Sequence, residues 1–497
     1  MFRLLEATID QIHQAMRAGD LTCRQLVELY VNRIEAYDHR GPALNAIQTV
    51  NDRALEDAAR LDMLFARTGP TGPLHGIPVL VKDQVETRDL PTTYGSALFR
   101  AFVPMRDATA VERLRDAGAV ILAKTTMGEF ASGYIGSAFG ICRNPYDPER
   151  EPGGSSCGSG VGVAANFGVA AIGEDTFGSI RNPAARNSLV GLRPTVPLVS
   201  RFGMMPATPS QDTLGPLART VRDAALLLDV LAGYDPNDPV TAASVGQVPA
   251  SHTGFLVPDG LRGVRLGVIR EPLADDTDPN ADDYRQVHAT IDRALGDLAA
   301  GGAELLDPVV IPGLRELLRR SGGTFEADAA IDAYLACHPA APAKSVREIV
   351  LSPEVVPSRR ARFLEDLGHT TSDPGYLQQL LAREELRQAI LTTLADRQLQ
   401  ALIYASFDHP PERIPADVLT IARRITSRGA NRALASYLGY PAISVPAGFA
   451  PEGLPVGIEF LGRPFSEGTL LRIAYGYEQA TRHRRPPAST PALPDEP

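Results

Sequence analysis

The sequence predicts an α/β protein, one large domain whose central β-sheet is covered by α-helices. Three observations carry this. Short apolar runs recur along the chain, at residues 77–81, 119–123, 169–172, 264–269 and 399–404. Each has the length of a buried strand and is too short for a helix. Between them lie segments with helical spacing and recognisable start and stop signals. Finally, 44% of the 497 residues are hydrophobic, enough for a sizeable core. Such a length suggests two or three domains, but large α/β enzymes run as one.

In chain order, Thr8 can cap a helix that runs through Ala18 and ends at Gly19. Thr22-Cys-Arg-Gln25 is a capping box, and Leu26, Leu29, Tyr30, Ile34 and Tyr37 keep helical spacing behind it. These first 66 residues are expected on the outside of the sheet. A turn cluster at 68–73 leads into the strand 77–81, with Lys82 at its end. A helix over Ala108–Ala117 precedes the strand 119–123, which Lys124 ends as a lysine expected to reach solvent. The loop from Thr125 to Tyr134 follows. Residues 161–172 hold a small-residue helix and then a buried strand that ends at Glu174-Asp175. A helix is expected near Val221–Leu231, a linker over 233–263, and a helical, motif-poor stretch from 264 to about 430. Residues 485–497, rich in proline, are expected to form a loose tail.

The net charge of −10 argues against nucleic acid or an anionic membrane as partner. No run of 18 apolar residues suggests a membrane span, and Met1–Asp20 reads as no secretory leader. The four cysteines are far apart, with no C-x-x-C pair. That suits free thiols in a cytoplasmic protein and offers no zinc-site spacing.

The stretch from Glu151 to Asn187 carries the chemistry. It sets two serines in glycine-rich loops, Gly153-Gly154-Ser155-Ser156 and Phe177-Gly178-Ser179. Glycine there allows φ > 0 and brings backbone N–H groups near a ligand. A hydroxyl needs a base before it can attack. Lys82 is the candidate. The chain has only three lysines, Lys82, Lys124 and Lys344, among 49 basic residues. Arginine cannot give up its proton, whereas a desolvated lysine can. The backbone N–H groups of residues 176–179 are expected to form an oxyanion hole, principally Thr176, Phe177 and Gly178. Asp175 and Arg181 read as loop supports.

Other motifs carry less. Gly160-Val-Gly162-Val-Ala-Ala165 resembles a dinucleotide fingerprint, but no strand precedes it, and Glu174 and Asp175 come too early to reach a ribose. Asp408-His409 invites a serine-hydrolase triad with Ser179. Cys157 reads as a small buried thiol. His13, His39, His75 and His288 read as surface residues without acidic company.

Taken together, the Gly-Gly-Ser-Ser motif, the segment Asp175-Thr-Phe-Gly-Ser179-Ile-Arg181 and the strand-end Val81-Lys82-Asp83 form a specific pattern. On these residues the chain resembles the amidase signature family, over roughly residues 4–487. The resemblance implies a mixed, twisted sheet in a domain spanning 1–484, with a signature core at about 70–232 and a variable, substrate-shaping region at about 264–430. It implies a triad of a lysine, a serine in a cis peptide and a nucleophilic serine. Ser155 and Ser179 lie 24 positions apart, the family's spacing, which selects Ser155 over Ser156 as the bridging serine. The family's segment equivalent to 125–134 borders the substrate, so Met127, Gly128 and Glu129 are expected to line the pocket. Phe177 and Cys157 stand where the family usually has glycine, and the Phe177 ring is expected to narrow the acyl pocket.

The implied activity is hydrolysis of a small carboxylic amide through an acyl-enzyme, without metal or organic cofactor. Lys82 would have to be neutral near pH 7, against an ordinary value of about 10.4, which costs about 4 kcal/mol. Three other readings stay open: a glutaminase component of an amidotransferase, a non-catalytic binding homologue, and ester cleavage. A homodimer stays open as well.

Overall fold

The computed structural model describes residues 2–497. Its strands in chain order are β1 (Ile47–Val50), β2 (Pro78–Lys82), β3 (Val120–Thr125), β4 (Ile135–Gly136), β5 (Gly140–Ile141), β6 (Ala170–Glu174) and β7 (Val190–Arg193). There follow β8 (Leu214–Ala218), β9 (Arg265–Val268), β10 (Glu304–Leu306), β11 (Ala401–Ala405), β12 (Ala442–Phe449) and β13 (Pro455–Leu461). Eleven strands make one sheet in the order β1-β3-β2-β6-β8-β7-β12-β13-β11-β9-β10, while β4 and β5 pair separately. The sheet is mixed. β2 runs parallel to β3 and β6, and β9 runs parallel to β10 and β11. The pairs at its centre, from β6 through β8, β7 and β12 to β13, are antiparallel.

All five apolar runs noted in the sequence are strands of this sheet. The central strands β7 and β8 carry Gly191, Gly215 and Pro216, residue types uncommon inside strands. Packing explains them. A Cβ on Gly215 would sit 2.3 Å from Leu192 O, and one on Gly191 would sit 2.5 Å from Ala184 Cβ. Only glycine lets these layers close up.

The helices cover the sheet. Thr8 caps Ile9–Ala18 and Gly19 ends it at φ 77°. Thr22 caps Cys23–Arg33 with its full capping box. The helix Cys157–Ala164 is buried along its whole length. Its small residues let it lie against β1 and β2: a Cβ on Gly158 would meet Ala46 O at 2.2 Å, and one on Gly162 would meet Leu80 Cδ1 at 2.7 Å. The stretch after β9 is mostly helical, including Asp282–Ala300, Pro357–Asp366 and Pro374–Asp396. Among the described residues no helix is long and apolar enough to cross a membrane.

Three expectations fail here. Residues 485–497 are not loose, because buried Arg33 needs partners that the tail supplies. Its guanidinium donates to Glu496 at 2.8 Å and to Thr490 O at 2.8 Å, and Leu4 N donates to Pro497 O at 3.2 Å. Lys124 does not reach solvent. It is fully buried, and its Nζ donates to Val85 O and Thr92 Oγ1 at 2.7 Å each. Burial pushes its amine down to about 8. Finally, His75 is fully buried, and His288 pairs with Asp408 at 3.0 Å.

Candidate active site

β2 and β6 are parallel neighbours with Val81 opposite Ile172. Their C-terminal ends therefore deliver Lys82 and Glu174 to the same edge of the sheet, the usual place for a site in an α/β fold. Both side chains are fully buried, and Lys82 Nζ lies 2.8 Å from Glu174 Oε2. Lys82 Nζ also donates to Ser155 Oγ at 2.9 Å. The site of Lys82 is desolvated, as expected, and a carboxyl group is the immediate neighbour of the amine. In the sequence Glu174 stood out as an acid at the end of a buried strand, and as one too early to reach a ribose. Two apolar runs that each end in a charge, on strands that could pair in parallel, were the available signal.

The Ser155 loop is built on glycine. Gly153 has φ 74° and the Gly154–Ser155 peptide is cis. A Cβ on Gly154 would lie 2.0 Å from Gly133 O. Ser156 joins this loop to the next one. Its N–H donates to Ser179 O at 3.3 Å, and its hydroxyl donates to Glu174 O at 3.1 Å.

The Ser179 loop is held by one carboxylate. Asp175 accepts from Gly178 N at 2.9 Å and Ile180 N at 3.1 Å. It also pairs with Arg181 at 3.1 Å and Arg193 at 2.7 Å, with all three side chains buried. Burial acts to raise the Asp175 carboxyl, but Arg181 and Arg193 outweigh it and hold the group far below the usual carboxylate range. Arg181 continues to Glu459 on β13 at 2.5 Å and to Ser436 Oγ at 2.9 Å. The loop supports expected from sequence are therefore a buried cluster that joins this loop to the last strands of the chain.

Ser155 and Ser179 line one cavity of about 250 Å³. The Ser179 hydroxyl has no hydrogen-bond partner among the described residues, Ser155 included. Gly178 leaves the expected oxyanion set, because its N–H is donated to Asp175. The N–H groups of Thr176, Phe177 and Ser179 have no acceptor among the described residues. A carbonyl oxygen placed in this cavity could be held by those donors.

A second carboxylate stands behind Glu174. The Thr176 hydroxyl contacts both Glu174 Oε1 and Asp212 Oδ1, the latter at 2.7 Å. One hydroxyl has one proton, so it can donate to only one of the two carboxyls at a time. Burial, then the charge of Glu174, pushes the Asp212 carboxyl up to about 6.

The expected pocket residues Met127, Gly128 and Glu129 do not line the cavity; Phe130 to Tyr134 do. Met127 is buried in the core, and Gly128 N donates to Ser155 O at 3.0 Å. The Glu129 carboxylate accepts from Ser137 Oγ at 2.6 Å and Val356 N at 2.8 Å. A tight turn, with Phe130 at φ 46° and Ala131 at φ 62°, presents the next residues to the cavity instead. Phe177 does line the cavity, with its ring 5.2 Å from that of Tyr437. Cys157 is buried against Thr126 O at 3.6 Å. His409 pairs with Asp283 at 3.0 Å and accepts from Asp278 N at 3.1 Å, away from the cavity that Ser179 lines.

Comparison with known proteins bears on this geometry. A family model described as Amidase matches residues 25–471. A probable amidase of Arabidopsis thaliana is 34% identical over 519 residues, covering 98% of this chain and 92% of the relative. A glutamyl-tRNA(Gln) amidotransferase subunit of Koribacter versatilis is 34% identical over 498 residues, covering 95% of this chain and 98% of the relative. Among solved structures, the native peptide amidase of Stenotrophomonas maltophilia superposes with a TM-score of 0.85 at 37% identity, covering 98% of this chain and 99% of that one.

Proposed function

The chain belongs to the amidase family, and from that premise we propose that it hydrolyses a small carboxylic amide through an acyl-enzyme on Ser179. The observation that carries this reading is the hydrogen bond from Lys82 Nζ to Ser155 Oγ at 2.9 Å, beside a cavity that Ser179 also lines.

In the proposed mechanism Lys82 takes the proton of Ser155 as Ser155 takes that of Ser179. Ser179 Oγ bonds to the carbonyl carbon, and the carbonyl π electrons move to its oxygen. The N–H groups of Thr176, Phe177 and Ser179 hold that oxyanion. Its collapse breaks the C–N bond, and the relay runs backwards to protonate the departing amine. Water then cleaves the acyl-enzyme, and Ser179 recovers its proton. The Glu174 carboxyl group lies 2.8 Å from the Lys82 amine, so a proton arriving there meets an acceptor.

The test is labelling with a fluorophosphonate, together with hydrolysis of a panel of amides with ammonia release followed. Ser179→Ala should abolish both, and Lys82→Arg should cut turnover at least about a thousand-fold with folding intact. Full turnover by folded Lys82→Arg would falsify the base assignment.

The amidotransferase relatives favour a second reading, a glutaminase that works inside a complex. It requires that ammonia release from glutamine depend on partner proteins. Multiple turnover by the purified chain alone argues for the first reading.

A further inference from the structure

The cavity beside Ser179 is unusually rich in arginine. Arg359, Arg362, Arg424 and Arg432 all line it, against only two carboxylates, Asp328 and Asp366. They arrive from different places. Arg359 and Arg362 sit on the helix Pro357–Asp366, Arg424 on the loop after β11, and Arg432 just before the helix Ala433–Leu438.

The charges do not balance. Arg362 is already committed, to Glu365 at 3.1 Å, Asp366 at 3.0 Å and Thr324 Oγ1 at 2.9 Å. That uses Asp366. Asp328 accepts from Gly368 N at 2.9 Å. Among the described residues, no carboxylate comes within ion-pair distance of Arg359, Arg424 or Arg432. Arg359 Nε is buried without any hydrogen-bond partner. Arg359 and Arg432 rest on aromatic faces instead, 3.8 Å from the Phe363 ring centre and 4.9 Å from that of Phe177. Burial, reinforced by the like charges of Arg362 and Arg424, pushes Arg359 and Arg432 each down to about 10.

Arg359 and Arg432 are half-buried and Arg424 is exposed; a half-buried guanidinium without a countercharge loses solvation that nothing replaces. A ligand that brings its own negative charge removes that cost. The guanidinium fork matches a carboxylate with two parallel hydrogen bonds. Arg432 lies over the ring of Phe177, whose N–H belongs to the oxyanion set, so the positive charge stands close to the reacting carbonyl. The cavity, at about 250 Å³, suits a compact molecule.

We infer that the substrate is a small amide that also carries an ionised carboxylate, bound by Arg359 and Arg432 a few bonds from the amide carbonyl. This deepens the amide-hydrolase reading and rests on it.

The experiment compares glutaramate and succinamate with their uncharged counterparts, glutaramide and succinamide. The expected result is a kcat/KM about ten-fold or more higher for the carboxylate member of each pair. In Arg432→Met and Arg359→Met, checked for folding by circular dichroism, that ratio falls towards one, chiefly through KM. Equal use of both members, or a ratio that survives both substitutions, overturns the inference. A binding arm separates this from failure of the hydrolase reading. In Ser179→Ala, calorimetry should show glutaramate binding more tightly than glutaramide, with a loss in high salt. If no amide is hydrolysed yet this Arg432-dependent preference remains, the anion site stands and the hydrolase reading falls. If amides are hydrolysed and the preference is absent, the reverse holds.

Discussion

Lys82 Nζ and Glu174 Oε2 lie 2.8 Å apart at the ends of two parallel strands, and neither side chain reaches solvent. A buried pair of this kind is expensive to break from one side. Glu174→Ala should destabilise the fold by roughly 3 kcal/mol, because the buried Lys82 amine loses its carboxyl partner. Lys82→Met combined with Glu174→Leu should recover most of that stability and show no turnover. Chemical denaturation of the two variants checks both statements. A single variant as stable as the parent would show that this contact does not hold the fold.

Asp175 accepts from four residues at once, Gly178, Ile180, Arg181 and Arg193. Asp175→Asn keeps the size of the side chain but removes its charge. It should cost roughly 3–5 kcal/mol, since two buried guanidinium groups then lose a partner. Fluorophosphonate labelling of Ser179 should slow with it, because the Gly178 and Ile180 anchors loosen. Rapid labelling of a destabilised Asp175→Asn protein would show that the loop keeps its shape by other means.

Phe177 fills cavity space that a glycine would leave open, with Tyr437 on one side and Arg432 on the other. Phe177→Gly should raise kcat/KM for branched or aromatic acyl groups relative to acetamide, by about ten-fold. A panel of acyl chain lengths measures this. An unchanged ranking would mean that the ring does not meet the acyl group.

Two buried carboxyls near the helix Val221–Leu231 set a pH dependence of stability. Burial pushes Asp223 from 3.8 up to about 6, and burial with the nearby charge of Asp223 pushes Glu478 from 4.5 up to about 7. Arg219 opposes the shift of Asp223, and Asp10 adds to it. Between their unfolded and folded values the folded chain holds protons that the unfolded chain has released. Stability from these groups is therefore present below about pH 4 and is lost as pH rises towards 7. Calorimetry should give a higher Tm at about pH 5 than at about pH 8, and Glu478→Gln should narrow that gap. A gap that stays the same in Glu478→Gln would remove this residue from the account.

Much of the frame was legible because the cues are local. The cap at Thr8, the capping box at Thr22, apolar runs such as 77–81, and glycine beside serine each have their effect within a few residues. What escaped depends on partners remote in sequence. Glu174 meets Lys82 only through strand pairing, across 92 positions. Arg432 stands over Phe177 only once the C-terminal half has folded over the loop. The inward turn of Lys124 and the anchored tail have the same origin: Val85 O and Thr92 capture the lysine, and Arg33 captures Glu496. The error over Met127, Gly128 and Glu129 has a different cause. The segment was right, but one tight turn decides which of its residues face the cavity.

Arg181 grips Asp175 with one edge and Glu459 with another. During synthesis, a nascent chain that ends short of β13 already contains both serines and the lysine, yet lacks the far anchor that steadies their loops. Such a partly made polypeptide would carry both serine loops without the buried brace that ties them to the last strands. The geometry of these loops would then be completed late, with the last strands.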